Sequence, residues 1–114
     1  MADVFCYGTL LFPEVMTAVA GREPPAVDAL LRDHARHRVR GEAFPAVVHE
    51  PGAAVEGQLY RGLTPAEVAR LDAYEGPLYA RRALPVESAE GPVTAAVYVV
   101  PTGRRSRLAA RDWD

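Results

Sequence analysis

Only two stretches of this 114-residue chain carry the signals of a helix, and both are short. Pro13 suits a first helical position, Val15, Met16 and Val19 give an apolar stripe, and Gly21 is a stop, so the spacing predicts a helix over Pro13–Ala20. Thr64-Pro65-Ala66-Glu67 is the clearest helix start: threonine caps, proline opens, and the glutamate three residues on reaches back. Val68 and Leu71 supply the inner face of that helix, and Gly76-Pro77 ends it. The remaining apolar sequence falls into short runs that suit β-strands. They are Asp3–Tyr7, Val27–Leu31, Phe44–Val48 after a proline bend, Ala54–Tyr60, Leu78–Glu87 and Val93–Val100. Val55, Gly57 and Leu59 share one face, and Pro51-Gly52 reads as a turn. The last two runs flank Glu90-Gly91-Pro92 and predict a hairpin with a loop longer than two residues. Arg32–Arg40 is too charged to be buried and in part suits an exposed strand. About six strands with two short helices do not suit a doubly wound sheet. The pattern predicts an α+β fold: a small, mixed or mostly antiparallel β-barrel with flanking short helices. One domain over residues 1–114 follows from the length, with a polar, arginine-rich tail at 102–114 whose order the sequence leaves open.

Missing residue types narrow the chemistry. All thirteen basic residues are arginine, so there is no Schiff-base lysine and no P-loop lysine. The serines, Ser88 and Ser106, sit in no nucleophile elbow, and no dinucleotide-binding glycine pattern occurs. A net charge of −2 gives no reason to expect nucleic acid or an anionic membrane as partner. No apolar run reaches membrane-spanning length and the start, MADVFCYG, lacks a signal pattern, so a cytoplasmic protein is expected. Cys6 has no internal disulfide partner and reads as a small buried hydrophobe facing away from Tyr7. His34 and His37, three apart, can share a helical face, with His49 distant; flanking arginines oppose a cation, so no metal site is expected. Arg36–Arg40 and Arg104–Arg107 read as a charged edge and a solvated tail, with phosphate contact the alternative.

Two features remain for chemistry. Glu75, in Leu71-Asp72-Ala73-Tyr74-Glu75-Gly76, falls in the last turn of the second helix, where the negative end of the dipole disfavours an anion. Burial beside Tyr74 and Tyr79 would lift its pKa further, toward the range useful for proton transfer. A solvated glutamate beside a glycine cap is the plain alternative. At Gly8-Thr9 the apolar run VFCYGTLLF breaks without a polar loop. A glycine turn explains this; so does a cradle in which main-chain N–H groups approach a carboxylate, because Gly8 has no Cβ.

Tyr7-Gly8-Thr9-Leu10, Phe44-Pro45-Ala46, Val55-Glu56-Gly57-Gln58-Leu59-Tyr60, Leu71-Asp72-Ala73-Tyr74-Glu75-Gly76, Tyr79-Ala80-Arg81 and Asp112-Trp113 occur in this order. The ordered set resembles the γ-glutamylcyclotransferase-like superfamily, in its small branch that includes the γ-glutamylamine cyclotransferases. The resemblance implies a small barrel with flanking helices and a cavity beside the end of the first strand. It implies an enzyme that cyclises a γ-glutamyl group to 5-oxoproline, releases an amine or amino acid, and needs no cofactor. By matching positions, Tyr7, Gly8, Thr9 and Leu10 would line the γ-glutamyl end of the substrate and Glu75 would be the catalytic carboxylate. Tyr79 and Arg81 match a segment near the pocket. The partner implied is a small γ-glutamyl molecule; the leaving amine and the oligomeric state stay open. The rival readings are a non-catalytic metabolite-binding module on the same barrel and an arginine-mediated interaction protein.

Overall fold

Alternation along the first strand divides the protein into two apolar layers. The computed structural model describes residues 1–38 and 45–100, and strand β1 spans Ala2–Cys6. Successive side chains of a strand point to opposite faces. Val4 and Cys6 pack with Met16, Leu63, Val68 and Leu71, while Phe5 and Tyr7 pack with Leu31, Val55, Leu59, Val86 and Val97. The second set draws on all five strands and fills the inside of a barrel; the first lies between the barrel wall and the helices.

The elements follow in the order β1, a 3-10 turn at Thr9–Leu11, α1 (Pro13–Ala20), β2 (Ala26–Arg38), β3 (Pro45–Leu63), α2 (Pro65–Glu75), β4 (Ala80–Ser88) and β5 (Gly91–Val99). The strands close into a barrel in the order β1-β3-β2-β4-β5. Every pairing is antiparallel except the seam, where β1 runs parallel to β5 with Val4 opposite Ala96 and Phe5 opposite Val97. The fold is therefore the mixed, mostly antiparallel barrel with two short helices that the strand pattern predicts. Helix α1 has the expected bounds, with Pro13 at its start and Gly21 as its left-handed cap. Helix α2 begins with a complete capping box: the Glu67 N–H donates to Thr64 Oγ1 (3.2 Å) and the Thr64 N–H to Glu67 Oε1 (2.8 Å).

Three expectations need correction. First, Phe44–Val48 and Ala54–Tyr60 are not separate strands; the described part of the first, Pro45 to Val48, and the second both belong to β3, so the barrel has five strands rather than six. Pro51-Gly52 is a bulge inside that strand. Arg32 pairs with Ala54 and His34 with His49, so Asp33 alone stands opposite residues 50–53. Both sides bend to allow it: Asp33 and Gly52 have φ of 60° and 87°, and Asp33 Oδ1 accepts the Gly52 N–H at 3.1 Å. Second, the β4–β5 hairpin has a two-residue loop, Ala89-Glu90, because Ser88 pairs with Gly91. The Ser88 hydroxyl closes the turn, donating to the Gly91 carbonyl (2.6 Å) and accepting the Glu90 N–H (3.1 Å). Third, the predicted Val27–Leu31 run and the exposed strand within Arg32–Arg40 are one element: β2 continues through to Arg38, so His34 and His37 share no helical face. His34 therefore meets His49 directly across the ladder, ring centroids 5.4 Å apart, and His37 faces Glu50 on the opposite side. Phe44, Arg40, Arg104–Arg107 and Asp112-Trp113, with the rest of the tail, lie outside the described residues.

Candidate active site

Where β1 ends, the chain turns at once. The Leu11 N–H donates to the Gly8 carbonyl at 2.9 Å, which closes the 3-10 turn that Thr9 opens. Leu10 is packed in the layer under the helices and only 3% exposed, and its carbonyl accepts the Tyr60 hydroxyl at 3.1 Å. Its side chain is thus committed to the core, and what Leu10 can offer a ligand is main chain. The Thr9 and Leu10 N–H groups precede the first hydrogen bond of the turn, as the leading donors of any helix do.

Tyr7, the last residue before Gly8, turns into the barrel and is 6% exposed. Its hydroxyl donates to the Tyr98 carbonyl at 2.5 Å. Burial first, then the Tyr79 and Glu75 groups, raise its pKa well above that of an ordinary phenol, so Tyr7 is a neutral donor at any physiological pH.

Helix α2 delivers Glu75 to this place. Val68 and Leu71 are buried against the barrel wall and set the rotation of the helix. Gly76 then caps it, its N–H donating to the Asp72 carbonyl at 3.1 Å. Glu75 is partly buried, and desolvation pushes its carboxyl up from an ordinary 4.5 to about 7. Its negative charge in turn raises the pKa values of Cys6, Tyr7, Tyr79 and Tyr98, though burial is the larger cause at each. That coupling places Glu75 among the end of β1, the entry to β4 and the far end of β5. A carboxyl titrating near neutrality can take a proton and return it, and the phenols around it stay protonated.

Of the residues singled out in the sequence, Glu75, Tyr7 and Tyr79 are thus electrostatic neighbours. Gly8 and Thr9 follow directly on Tyr7, and the Leu10 side chain lies in the core. Arg81 is turned toward the helix: its guanidinium lies 3.3 Å from Asp72 Oδ2, and both side chains are over two-fifths exposed. Arg81 also lines a surface cleft of about 530 Å³ beside Asp3 and Thr94. A larger cleft, about 630 Å³, opens past Leu11 between Asp28, Gln58 and Ser88 and is lined by none of the predicted site residues.

Two residues of this neighbourhood escape sequence reasoning. Asp72 accepts the Tyr98 hydroxyl at 2.7 Å as well as pairing with Arg81. The spacing of Asp72 and Glu75, one helical turn, is visible in the sequence and was the available signal. Nothing local marks Tyr98, which arrives from β5.

Comparison with known proteins gives a consistent picture. The model of the family described as gamma-glutamyl cyclotransferase, AIG2-like, matches residues 4–114. AIG2-like protein C of Arabidopsis thaliana is 33% identical over 84 residues, which make up 74% of this chain and 49% of that protein. The chain spans about half the length of the curated relatives it matches. Among solved structures, an Arabidopsis thaliana protein determined in solution superposes with a TM-score of 0.80 at 28% identity, over 89% of this chain and 69% of that one. A structure named gamma-glutamyl cyclotransferase superposes with a TM-score of 0.72 over 88% of this chain and 66% of the other; at 20% identity this is a likeness of fold.

Proposed function

Because this chain belongs to the gamma-glutamyl cyclotransferase, AIG2-like family, we propose that it cyclises a γ-glutamyl amine or γ-glutamyl amino acid to 5-oxoproline. In this reading the substrate's α-amine attacks its own γ-carbonyl. The new C–N bond closes a five-membered ring, the old C–N bond breaks, and an amine or amino acid leaves. An α-ammonium is no nucleophile until it loses a proton, and an amide nitrogen is a poor leaving group until it gains one. A single carboxyl serves both needs in turn, as base and then as acid. Glu75 suits that role because desolvation pushes its pKa up to about 7, and the family match over residues 4–114 is the observation that carries the proposal.

The other assigned residues follow from position. Main-chain N–H groups at Gly8, Thr9 and Leu10 would hold the substrate's α-carboxylate, with Tyr7 beside them. Tyr79 would face the γ-glutamyl group from the side of Glu75, and Arg81 would lie at the rim. Ring closure is intramolecular, so folding the substrate onto itself supplies much of the rate.

The test is 5-oxoproline release from a panel of γ-glutamyl amines and amino acids. Turnover of one or more is expected, with Glu75→Gln lowering kcat by about 10²-fold or more while binding survives. Binding of several compounds with turnover of none would favour a metabolite-binding module instead, and undiminished turnover in Glu75→Gln would remove that carboxyl from the chemistry.

A further inference from the structure

The apolar stripe of α2 stops one turn too early to hold Glu75. Val68 and Leu71 are buried, but Asp72, Ala73 and Tyr74 are exposed, so hydrophobic packing does not anchor the last turn. Helix ends fray where packing gives out. A polar tether stands in its place. The Asp72 carboxylate accepts the Tyr98 hydroxyl of β5 at 2.7 Å and lies 3.3 Å from the Arg81 guanidinium of β4. Tyr98 is itself buried, 4% exposed, and its carbonyl accepts the Tyr7 hydroxyl at 2.5 Å. A continuous path therefore runs from the end of β1 through Tyr7, Tyr98 and Asp72 to the helix turn that carries Glu75.

We propose that Asp72 is a positioning residue: through the Tyr98 hydroxyl and the Arg81 guanidinium it pins the last turn of α2 to β5 and β4, and so keeps the Glu75 carboxyl at the end of β1. The catalytic consequence rests on the reading of Glu75 as proton carrier; the tether itself does not. The groups that feel the Glu75 charge are Cys6 on β1, Tyr7 just past it, Tyr79 ahead of β4 and Tyr98 on β5; Arg81 on β4 and Asp72 on the helix lie beside Tyr98, and Tyr74 beside Tyr79. Among the side chains whose bonds are described, Asp72 is the one that joins the helix to both strands. Asp72, one turn before Glu75, has a cation and a hydroxyl as partners.

The experiment follows the Glu75 side-chain carboxyl by carbon-13 NMR across pH in the free protein, for wild type, Asp72→Asn and Tyr98→Phe. Asp72→Asn removes a negative charge, leaves Arg81 unpaired by it and loosens the turn, and all three effects lower the Glu75 midpoint. Tyr98→Phe keeps the ring's packing and removes only the hydroxyl, so it tests the tether even if Asp72→Asn folds poorly. The expected result is a Glu75 midpoint lower by about half a pH unit or more in each variant. With a compound that gives 5-oxoproline, kcat should fall about tenfold or more and KM stay within about threefold, as for a misplaced group rather than a lost contact. A Glu75 midpoint that stays put in both variants overturns the proposal, whatever happens to overall stability. If no compound turns over, or Glu75→Gln is fully active, the cyclotransferase reading fails while the carboxyl titration still decides the tether.

Discussion

At Gly57 the barrel wall has no room for a side chain. A Cβ there would lie 2.2 Å from the Cys6 carbonyl oxygen and 2.8 Å from the Phe5 ring, so β1 itself would have to move. Gly57→Ala is expected to cost about 1–3 kcal/mol, as overpacking does, read as a lower urea midpoint with an unchanged slope. A wild-type midpoint would show that the strand yields freely. Glu75 illustrates the opposite kind of strain. Its folded pKa, about 7, lies above the ordinary 4.5, so the folded state holds this proton more tightly than the unfolded chain does. Its contribution is therefore favourable below pH 4.5 and is lost as pH rises to about 7. Glu75→Gln should match wild-type stability at pH 4 and exceed it at pH 8 by up to about 3 kcal/mol, measured by urea unfolding at both. The substitution proposed to remove proton transfer would thus strengthen the fold, a common tension at reactive groups.

At the scale of elements, the two helices are tied end to start. Arg22, just past the α1 cap, donates to both Glu67 oxygens at 2.6 and 2.9 Å, and Arg70 on α2 donates to the Ala20 carbonyl at 2.8 Å. Glu67 is at once the third residue of α2 and a member of its capping box. Its hydrogen bond with Arg22, and then that with the Thr64 amide, hold its pKa down to about 2 from an ordinary 4.5. A depressed carboxylate stabilises above its unfolded pKa, and the benefit goes as pH falls from 4.5 toward 2. Arg22→Ala should lower the Tm at neutral pH and flatten the loss of Tm between those two limits; an acid limb as steep as wild type would refute the link. These helix features were legible because their signals are local: Pro13 and Gly21 bound α1, and Thr64 to Glu67 start α2. The Pro51-Gly52 bulge was not, because a proline-glycine pair has the same sequence whether it ends a strand or swells one. Asp33, whose carboxylate accepts the Gly52 N–H and whose own backbone bends to match, is what decides, and it lies in the partner strand. The hairpin's loop length is hidden for a similar reason. Its length depends on which residues pair first, and the Ser88 hydroxyl settles that in favour of Gly91.

At the scale of the whole molecule, alternation along the strands already sorted the core. Val55, Gly57 and Leu59 do share the inward face, and Cys6 does turn away from Tyr7 into the layer beneath the helices. What alternation could not supply is which elements meet. Tyr98 comes to Asp72 and Tyr7 only because β5 lies beside β1 and the helix covers both; neither residue's own surroundings in sequence announce it. His34 and His49 likewise meet only through the register of β2 on β3. The candidate site is thus half local and half assembled: Glu75, the Gly8 turn, Tyr7, Tyr79 and Arg81 can be named by reading along the chain, and Tyr98 with its bond to Asp72 cannot.

The parallel seam also bears on how such a molecule is born. Strand β1 finds one neighbour in β3 but must wait for β5, some ninety residues later, to cover its other edge. Contacts so far apart in sequence form late and slowly, so Tyr7, just past β1, gets its acceptor on β5 only after synthesis has passed Tyr98. Until then the nascent chain carries an open edge, which makes the closing strand the natural point at which a chaperone, or another nascent copy, would compete for it.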